Sequence, residues 1–292
     1  VSIEEIVQII KGPDFPTGGI IFDSNNILEV YKKGKWGIIV RGKTHEEIYE
    51  GAHVIVIDEI PYLVNKSSLV SKIGELVVDK KIEGINDIRD ESNRDRIRIA
   101  IYLKKGVDPE AILMQIYKFT DLQTNFNLNN VSLIEKGTQP RLLNIKDLLM
   151  EFVTFRRDVV YRRSVFQLNK AKDRLHILEG LKKAIDIIDE VIDTIKHSES
   201  KNDARQNLMD KFGFSEKQAE YILLMRLQSL VGLEIQKISD EIDEKIKVIE
   251  YLEAIISDPE KLDEVVTKEF LYMKEKYGDE RRTELSNDLS VY

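Results

Sequence analysis

Residues 168–196 read LNKAKDRLHILEGLKKAIDIIDEVIDTIK, and within them Leu178, Leu181, Ile185, Ile188, Ile192 and Ile195 recur at alternating steps of three and four. That spacing places them on one stripe of a helix, the seam that a second helix covers. Leu168, Ala171 and Leu175 carry the rhythm upstream. Two successive three-residue steps meet at Leu178, a stammer that locally overwinds a coil. The pattern predicts one helix over Ile145–Lys196, about 75 Å long at 1.5 Å per residue. A second segment, Ile238–Tyr277, carries Ile238, Ile242, Ile246, Ile249, Leu252 and Ile256 on one stripe, then Leu262, Val266, Phe270, Met273 and Tyr277 on another. Between them Asp258 suits an N-cap and Pro259 a first helical turn, so a new helix is expected to start there.

The two segments enclose an apolar insert broken by Gly213 and Gly232. Leu223, Leu224, Leu227, Leu230, Val231 and Leu233 crowd one short helix and its exit, more apolar surface than one helix buries alone. The layout is therefore an arm with a head, and Leu223, Leu227, Leu230, Val231 and Leu233 are apolar residues for which that head needs a partner. The expected divisions are 1–144, an arm of 145–202 and 238–285, a head of 203–237, and a tail of 286–292.

Residues 1–144 read as α+β. Ile97, Ile99, Ile101 and Leu103 alternate with Arg96, Arg98, Ala100, Tyr102 and Lys104, the period-two signature of a strand with one buried face. His53 to Ile60 is richer in Val and Ile and predicts a more buried strand. Ile27–Tyr31 and Ile38–Arg41 flank Lys32–Gly37 as a hairpin-like connection. Lys66–Lys81 carries Leu69, Ile73, Leu76 and Val77 at helical spacing, and Asp108-Pro109-Glu110 opens a helix to Phe119. The expected fold class is thus an α+β domain with a small mixed or antiparallel sheet, followed by a long antiparallel coiled coil capped by a small helical head.

Composition sets bounds on function. The 292 residues are 42% hydrophobic and 33% charged, with a net charge of −8, ample for a packed core and adverse to nucleic acid except at a local basic surface. No run approaches the ~18 apolar residues of a membrane span, and the N-terminus lacks the regions of a signal peptide. The absence of cysteine excludes disulfides, thiolate metal sites and cysteine nucleophiles, and fits a cytoplasmic protein. A chain starting at Val1 is read as a piece of something longer.

The basic stretch Lys32, Lys33, Lys35, Arg41 and Lys43 surrounds Trp36, the one tryptophan. Such a cluster neutralises phosphates within a Debye length of ~10 Å; alternatively it is an exposed hairpin kept soluble by lysine. Arg156, Arg157, Arg162 and Arg163 at the root of the arm read as solvated or paired with neighbours such as Asp158. Asp87, Asp90, Glu91 and Asp95 suggest a divalent-cation site, but Arg89, Arg94, Arg96 and Arg98 interleave with them and favour an ion-paired turn. His45, His53, His176 and His197 are scattered, none at metal-ligand spacing. Neither the GxSxG elbow nor the GxxxxGK[ST] phosphate loop is present, so no catalytic residue is assigned.

Several runs match one family in one order over nearly the whole chain. Gly12–Gly19 (GPDFPTGG), Glu59–Lys66 (EIPYLVNK), Ile82–Ile85 (IEGI) and Arg89–Ser92 (RDES) resemble motifs of the tower domain in the A subunit of bacterial DNA gyrase, a type IIA topoisomerase. Phe152–Arg163 and Lys170–Leu181 are similar to that family's FVxxRRxVVxRR and KAxxRxHILEGL patterns. Met225–Glu234 (MRLQSLVGLE) resembles MRLQxLTGLE with Val231 in place of threonine, and Tyr277–Glu284 (YGDERRTE) closes the match. The A subunit of topoisomerase IV shares the architecture, and the MRLQ and GDERRTE runs look more like gyrase.

The resemblance implies a tower that supports double-stranded DNA, a coiled coil, and a C-gate head through which a transported duplex leaves. It implies that the head is a dimerisation head, with Leu223, Leu227, Leu230, Val231 and Leu233 as its contacts with a second copy. It implies a homodimer working with a B subunit in an A2B2 complex, with ATP and Mg2+ held by other domains and by that B partner. The family's catalytic tyrosine lies in a winged-helix domain whose motif is absent from this chain, and none of the eleven tyrosines stands in a matching context. The piece alone is therefore expected to be inactive. A non-enzymatic coiled-coil scaffold is the reading of another class, distinguished by showing no salt-dependent duplex binding.

Overall fold

A computed structural model describes residues 1–22, 26–135 and 137–286, the side chain of Leu227 excepted; the expected tail beyond 286 lies outside the described residues. The chain forms two compact units, one of residues 1–152 together with the chain from Asp279 on, the other of residues 153–278.

The first unit contains, in chain order, α1 (Ile3–Ile9), β1 (Ile20–Phe22), α2 (Ile27–Lys33), β2 (Lys35–Arg41), β3 (Lys43–Tyr49), β4 (Ala52–Glu59), α3 (Lys66–Val78), β5 (Ile85–Asp90), β6 (Ile99–Leu103), α4 (Pro109–Phe119), β7 (Gln123–Asn129), β8 (Val131–Ile134), β9 (Gln139–Leu142) and, near the end of the chain, β10 (Glu284–Ser286). One sheet has the order β10-β1-β2-β7, with β10 parallel to β1 and the other pairs antiparallel. A second, antiparallel sheet has the order β3-β4-β6-β5, and β8 and β9 form a ribbon of their own. Gly42 turns the chain from one sheet to the other while its amide donates to the Leu122 carbonyl at 2.8 Å.

The expected helices at Lys66 and Pro109 form because local signals suffice. Asn65 accepts from the Ser68 amide, Asp108 accepts from the Glu110 amide, and Leu69, Ile73, Leu76, Ile112 and Ile116 supply one buried face each. Those faces cover Ile55, Ile57, Ile99 and Ile101. β6 differs from the expectation of one buried face, because Ala100 is buried as fully as Ile99 and Ile101. Its cluster with Val54 and Val56 occupies the opposite face.

The hairpin expected around Lys32–Gly37 is absent. Ile27, Val30 and Tyr31 are buried at steps of three and one, the spacing of a helix face, and α2 ends at Gly34 in the left-handed conformation with φ 67°. The corner is tight as well as left-handed. A side chain on Gly34 would place its Cβ 2.1 Å from the Leu143 carbonyl oxygen.

The two ends of this unit are locked together by the outermost sequence motifs. Arg281 donates to the carbonyls of Gly12 and Pro13, and Asp14 Oδ1 accepts from the amides of Arg282 and Thr283 at 3.1 and 2.9 Å. The Thr283 hydroxyl accepts from the Phe15 amide at 2.7 Å and donates to the Gly18 carbonyl at 3.1 Å. The residues from 279 on, expected as the end of the arm, therefore belong to the first unit.

The second unit contains most of α5 (Ile145–Asp186), then α6 (Ile188–Lys196), α7 (Lys201–Phe212), α8 (Glu216–Leu223), a 3-10 turn at Leu227–Leu230, α9 (Gly232–Ser257) and α10 (Pro259–Tyr277). α5 runs unbroken through Leu178, and the interruption falls instead at Ile187, whose φ and ψ are −119° and 33°. Around it the most buried residues are Ala184, Val191 and Thr194 rather than Ile185, Ile188 and Ile192. The expected start at Pro259 is present, with Asp258 accepting from the Glu260 amide.

Val160 on α5 packs with Leu252 and Ile255 of α9 and Leu262 and Val266 of α10. Ion pairs fix the register: Arg156 and Arg163 with Glu269, Arg157 with Asp263, Lys172 with Glu253, and Arg174 with Glu241. Arg156 to Arg163 reach Asp263 and Glu269, whereas Lys172 and Arg174 reach Glu253 and Glu241, so the helices run antiparallel. Near the insert α5 is met by α8. His176 Nε2 lies 2.7 Å from the Ser215 hydroxyl, and Gly180 leaves room for Gln218, whose Cγ a Cβ would approach to 2.6 Å.

Replacing Gly34 with alanine should destabilise the first unit by about 2 kcal/mol or more, since the clash adds to the cost of a left-handed alanine. Urea unfolding followed by circular dichroism reads this directly. A change below about 0.5 kcal/mol would show that the corner relaxes freely.

Candidate nucleic-acid interface and apolar head

The five cations of the basic stretch do not form one surface. Lys32, at the end of α2, is held by Glu4 at 2.9 Å, a hydrogen bond that raises the pKa of its ammonium. Lys43 is engaged by Glu284, with the same effect on its pKa. Arg41 is only 4% exposed. Its guanidinium lies between the rings of Phe22 and Tyr117, 3.9 and 4.7 Å from their centroids, and its Nε donates to Gln123 Oε1.

Arg41 is therefore a buried cross-link and not a surface cation. The alternation along β2 hides this, because Phe22 and Tyr117 come from distant elements. Lys33 and Lys35 remain exposed. The Lys33 ammonium stands 4.6 Å above the Trp36 ring and 3.8 Å from Glu29, while Lys35 has no ion-pair partner among the described residues. Beside Trp36 is a hollow of about 570 Å³, bounded also by Phe22, Asn26, Gln123 and Asn125.

The acidic patch is an ion-paired turn, as its interleaved arginines suggest. Arg89 Nε donates to Asp87 at 2.7 Å, Lys66 pairs with Asp90 at 2.8 Å, and Arg98 bridges Glu91 at 3.0 Å and Glu47 through two bonds of 2.8 Å. These charges lie beside Val54, Val56 and Ala100, whose cross-strand neighbours are Glu47, His45 and Arg89. Asp87, Asp90 and Glu91 are each committed to a cation. Among the described residues no group of three or more His, Asp or Glu is gathered to hold a metal ion. His45 sits between Asp58 and Glu47, and His197 faces Asp193 at 3.3 Å.

In the insert, α7 and α8 close on α6 around Ala184, Val191, Leu208, Phe214, Ala219 and Ile222. Ser215 caps α8 reciprocally with Gln218, which fixes the face that α8 turns inward. Leu223 is one helical step beyond Ala219 and packs onto that core. The structure thus puts Leu223 on the head's own interior. Leu224, absent from the expected contact set, is 66% exposed, with Val231 at 54% and Leu233 at 77%. The spacing from Ala219 and Ile222 contains the signal that separates the two leucines. Leu230 is half-buried, and the side chain of Leu227 lies outside the described ones. The head therefore presents leucines on both sides of a short turn.

A family model for the A subunit of DNA gyrase and topoisomerase IV matches residues 1–271. The chain belongs to this family. It is 46% identical to the gyrase A subunit of Clostridium acetobutylicum over an alignment of 294 positions that covers 99% of this chain and 35% of that protein. It is 46% identical to the A subunit of DNA topoisomerase 4 from Bacillus subtilis, covering 97% and 35%, and 47% identical to the gyrase A subunit of Lawsonia intracellularis, covering 98% and 35%. The chain thus spans about a third of the length of these family members. Among its described residues no helix is long and apolar enough to cross a membrane.

The outer-face network carries a pH dependence with a definite sign. Hydrogen bonds from Arg98 first and His45 second lower the pKa of Glu47 from 4.5 to about 2, and Lys66 with Ser92 lowers that of Asp90 from 3.8 to about 2. A depressed folded-state pKa stabilises above the unfolded value and loses that contribution as pH falls. Stability of the first unit should therefore be full above pH 4.5 and decline toward pH 2. Arg98→Gln should lower stability at neutral pH and flatten the decline. Parallel urea-midpoint curves for the two proteins would contradict this.

Proposed function

We propose that this chain is the DNA-supporting and exit-gate region of the A subunit of an ATP-dependent type IIA topoisomerase of the gyrase kind. The observation that carries the reading is the pairing of an antiparallel helical arm with an exposed apolar head in a member of this family. Residues 1–152 would be the tower beneath a bent duplex, helices α5, α6, α9 and α10 the coiled-coil arm, α7 and α8 with the turn after them the head, and the surface around Leu224, Val231 and Leu233 the dimer contact. The run Met225–Glu234 favours gyrase; the equal identity to the Bacillus subtilis topoisomerase 4 protein keeps that paralogue as the second reading.

On this reading two copies meet head to head and enclose a space for a duplex about 20 Å across. Passage of the duplex requires the head contact to part while the arms stay folded. The division of labour follows from the interactions. Cross-helix ion pairs and the apolar stripe hold each arm in register, and the head contact is mainly apolar, so it reseals without selecting among ionic partners. Strand cleavage, Mg2+ and ATP chemistry would lie in the rest of the A polypeptide and in its B partner, in an A2B2 complex in the cytoplasm.

Sedimentation equilibrium tests the contact. The chain should be a dimer at micromolar concentration, and Leu233→Glu should weaken it at least tenfold, because closing the contact would strip water from an unpaired carboxylate. A monomeric wild-type chain, or an unchanged mass for the variant, would refute the head as the interface.

A further inference from the structure

Trp36 is 52% exposed although Ile38 and Val40, on the same face of β2, are buried at 4% and 1%. The strand thus opens its apolar face at one position, and the residue placed there is the chain's one tryptophan. The Lys33 ammonium, 4.6 Å above the ring, joins the indole to form a single surface of cation and aromatic. The ring also restricts the lysine, so less side-chain freedom is lost when an anion arrives. Lys32, Arg41 and Lys43 are committed to Glu4, the protein interior and Glu284 at close range; Lys33 has only the looser Glu29 contact at 3.8 Å and Lys35 no ion-pair partner among the described residues, so an ionic grip at this corner falls mainly to those two.

Resting on the DNA-supporting reading above, we infer that Trp36 is a non-ionic contact to duplex DNA, lying against the deoxyribose of a strand whose phosphates Lys33 and Lys35 engage. The partner follows from the chemistry. Two lysines beside an open indole call for an anion that also offers apolar edges, and the sugar–phosphate chain alternates the two. Such a contact adds affinity without releasing counterions, so it leaves the salt dependence unchanged.

The tryptophan is its own probe. Titrating the 292-residue chain with a duplex of about 30 base pairs, long enough to cover a basic corner of this size, should change Trp36 emission saturably. Trp36→Ala should weaken binding, read by anisotropy of labelled DNA, about fivefold to tenfold at an unchanged slope of log affinity against log salt. Trp36→Leu, which keeps apolar bulk on the strand, should lose a similar factor. Lys33→Gln with Lys35→Gln should instead reduce the slope by about two. Lysine-dependent binding with unchanged emission and full affinity in both tryptophan variants would overturn the Trp36 contact and leave the DNA-supporting reading standing. Absence of any salt-dependent binding would overturn both.

Discussion

Leu224, Val231 and Leu233 stand exposed where α8 gives way to α9, and burying each fully would be worth about 1.5–3 kcal/mol. Their own unit offers them no cover, because its apolar core is already closed by Leu223, Phe214 and Ile222 beneath them. The arm makes this exposure tolerable and useful. Val160, Leu252, Ile255 and Leu262 hold its helices together without the head's help, so the tip can exchange water for a partner while the arm stays folded. On the proposed exit-gate reading, a contact that opens and closes repeatedly needs this separation between what is permanently packed and what is not.

The first unit shows a different economy of interactions. One face of its β3-β4-β6-β5 sheet is covered by α3 and α4, the other by a layer of arginines and carboxylates beside two valines and an alanine. That layer absorbs the acidic residues that a cation would need. The basic corner at α2 and β2 is likewise thinned by Glu4 and Glu284, which leaves Lys35 without an ion-pair partner among the described residues and Lys33 over the Trp36 ring, 3.8 Å from Glu29.

Much of this was legible in the residues, and the limits were physical. The helices at Pro109 and Pro259 are fixed by an aspartate cap and a proline within two positions of each other, and such signals survive any tertiary setting. The helix at Ile27–Lys33 carried its own spacing in Ile27, Val30 and Tyr31, but lysines and glycine after it imitate a hairpin. Arg41 and Lys32 were not legible, because Phe22, Tyr117 and Glu4 reach them only through the fold. Nor was the return of Arg281 and Thr283 to Gly12 and Phe15, a pairing of groups separated by more than 260 positions. The paired leucines at 223 and 224 mark the boundary between the two cases: the sequence places both near the tip, and only the capped start of α8 decides which one faces out.

The central claim is that the exposed tip is covered by a second copy of the chain. Hydrogen exchange of the amides from Leu224 to Leu233, followed by mass spectrometry over a hundredfold range of protein concentration, tests it most directly. The account requires protection of this segment to rise with concentration while the amides of α5 near Val160 stay constant. Exchange at the tip that does not depend on concentration would contradict it.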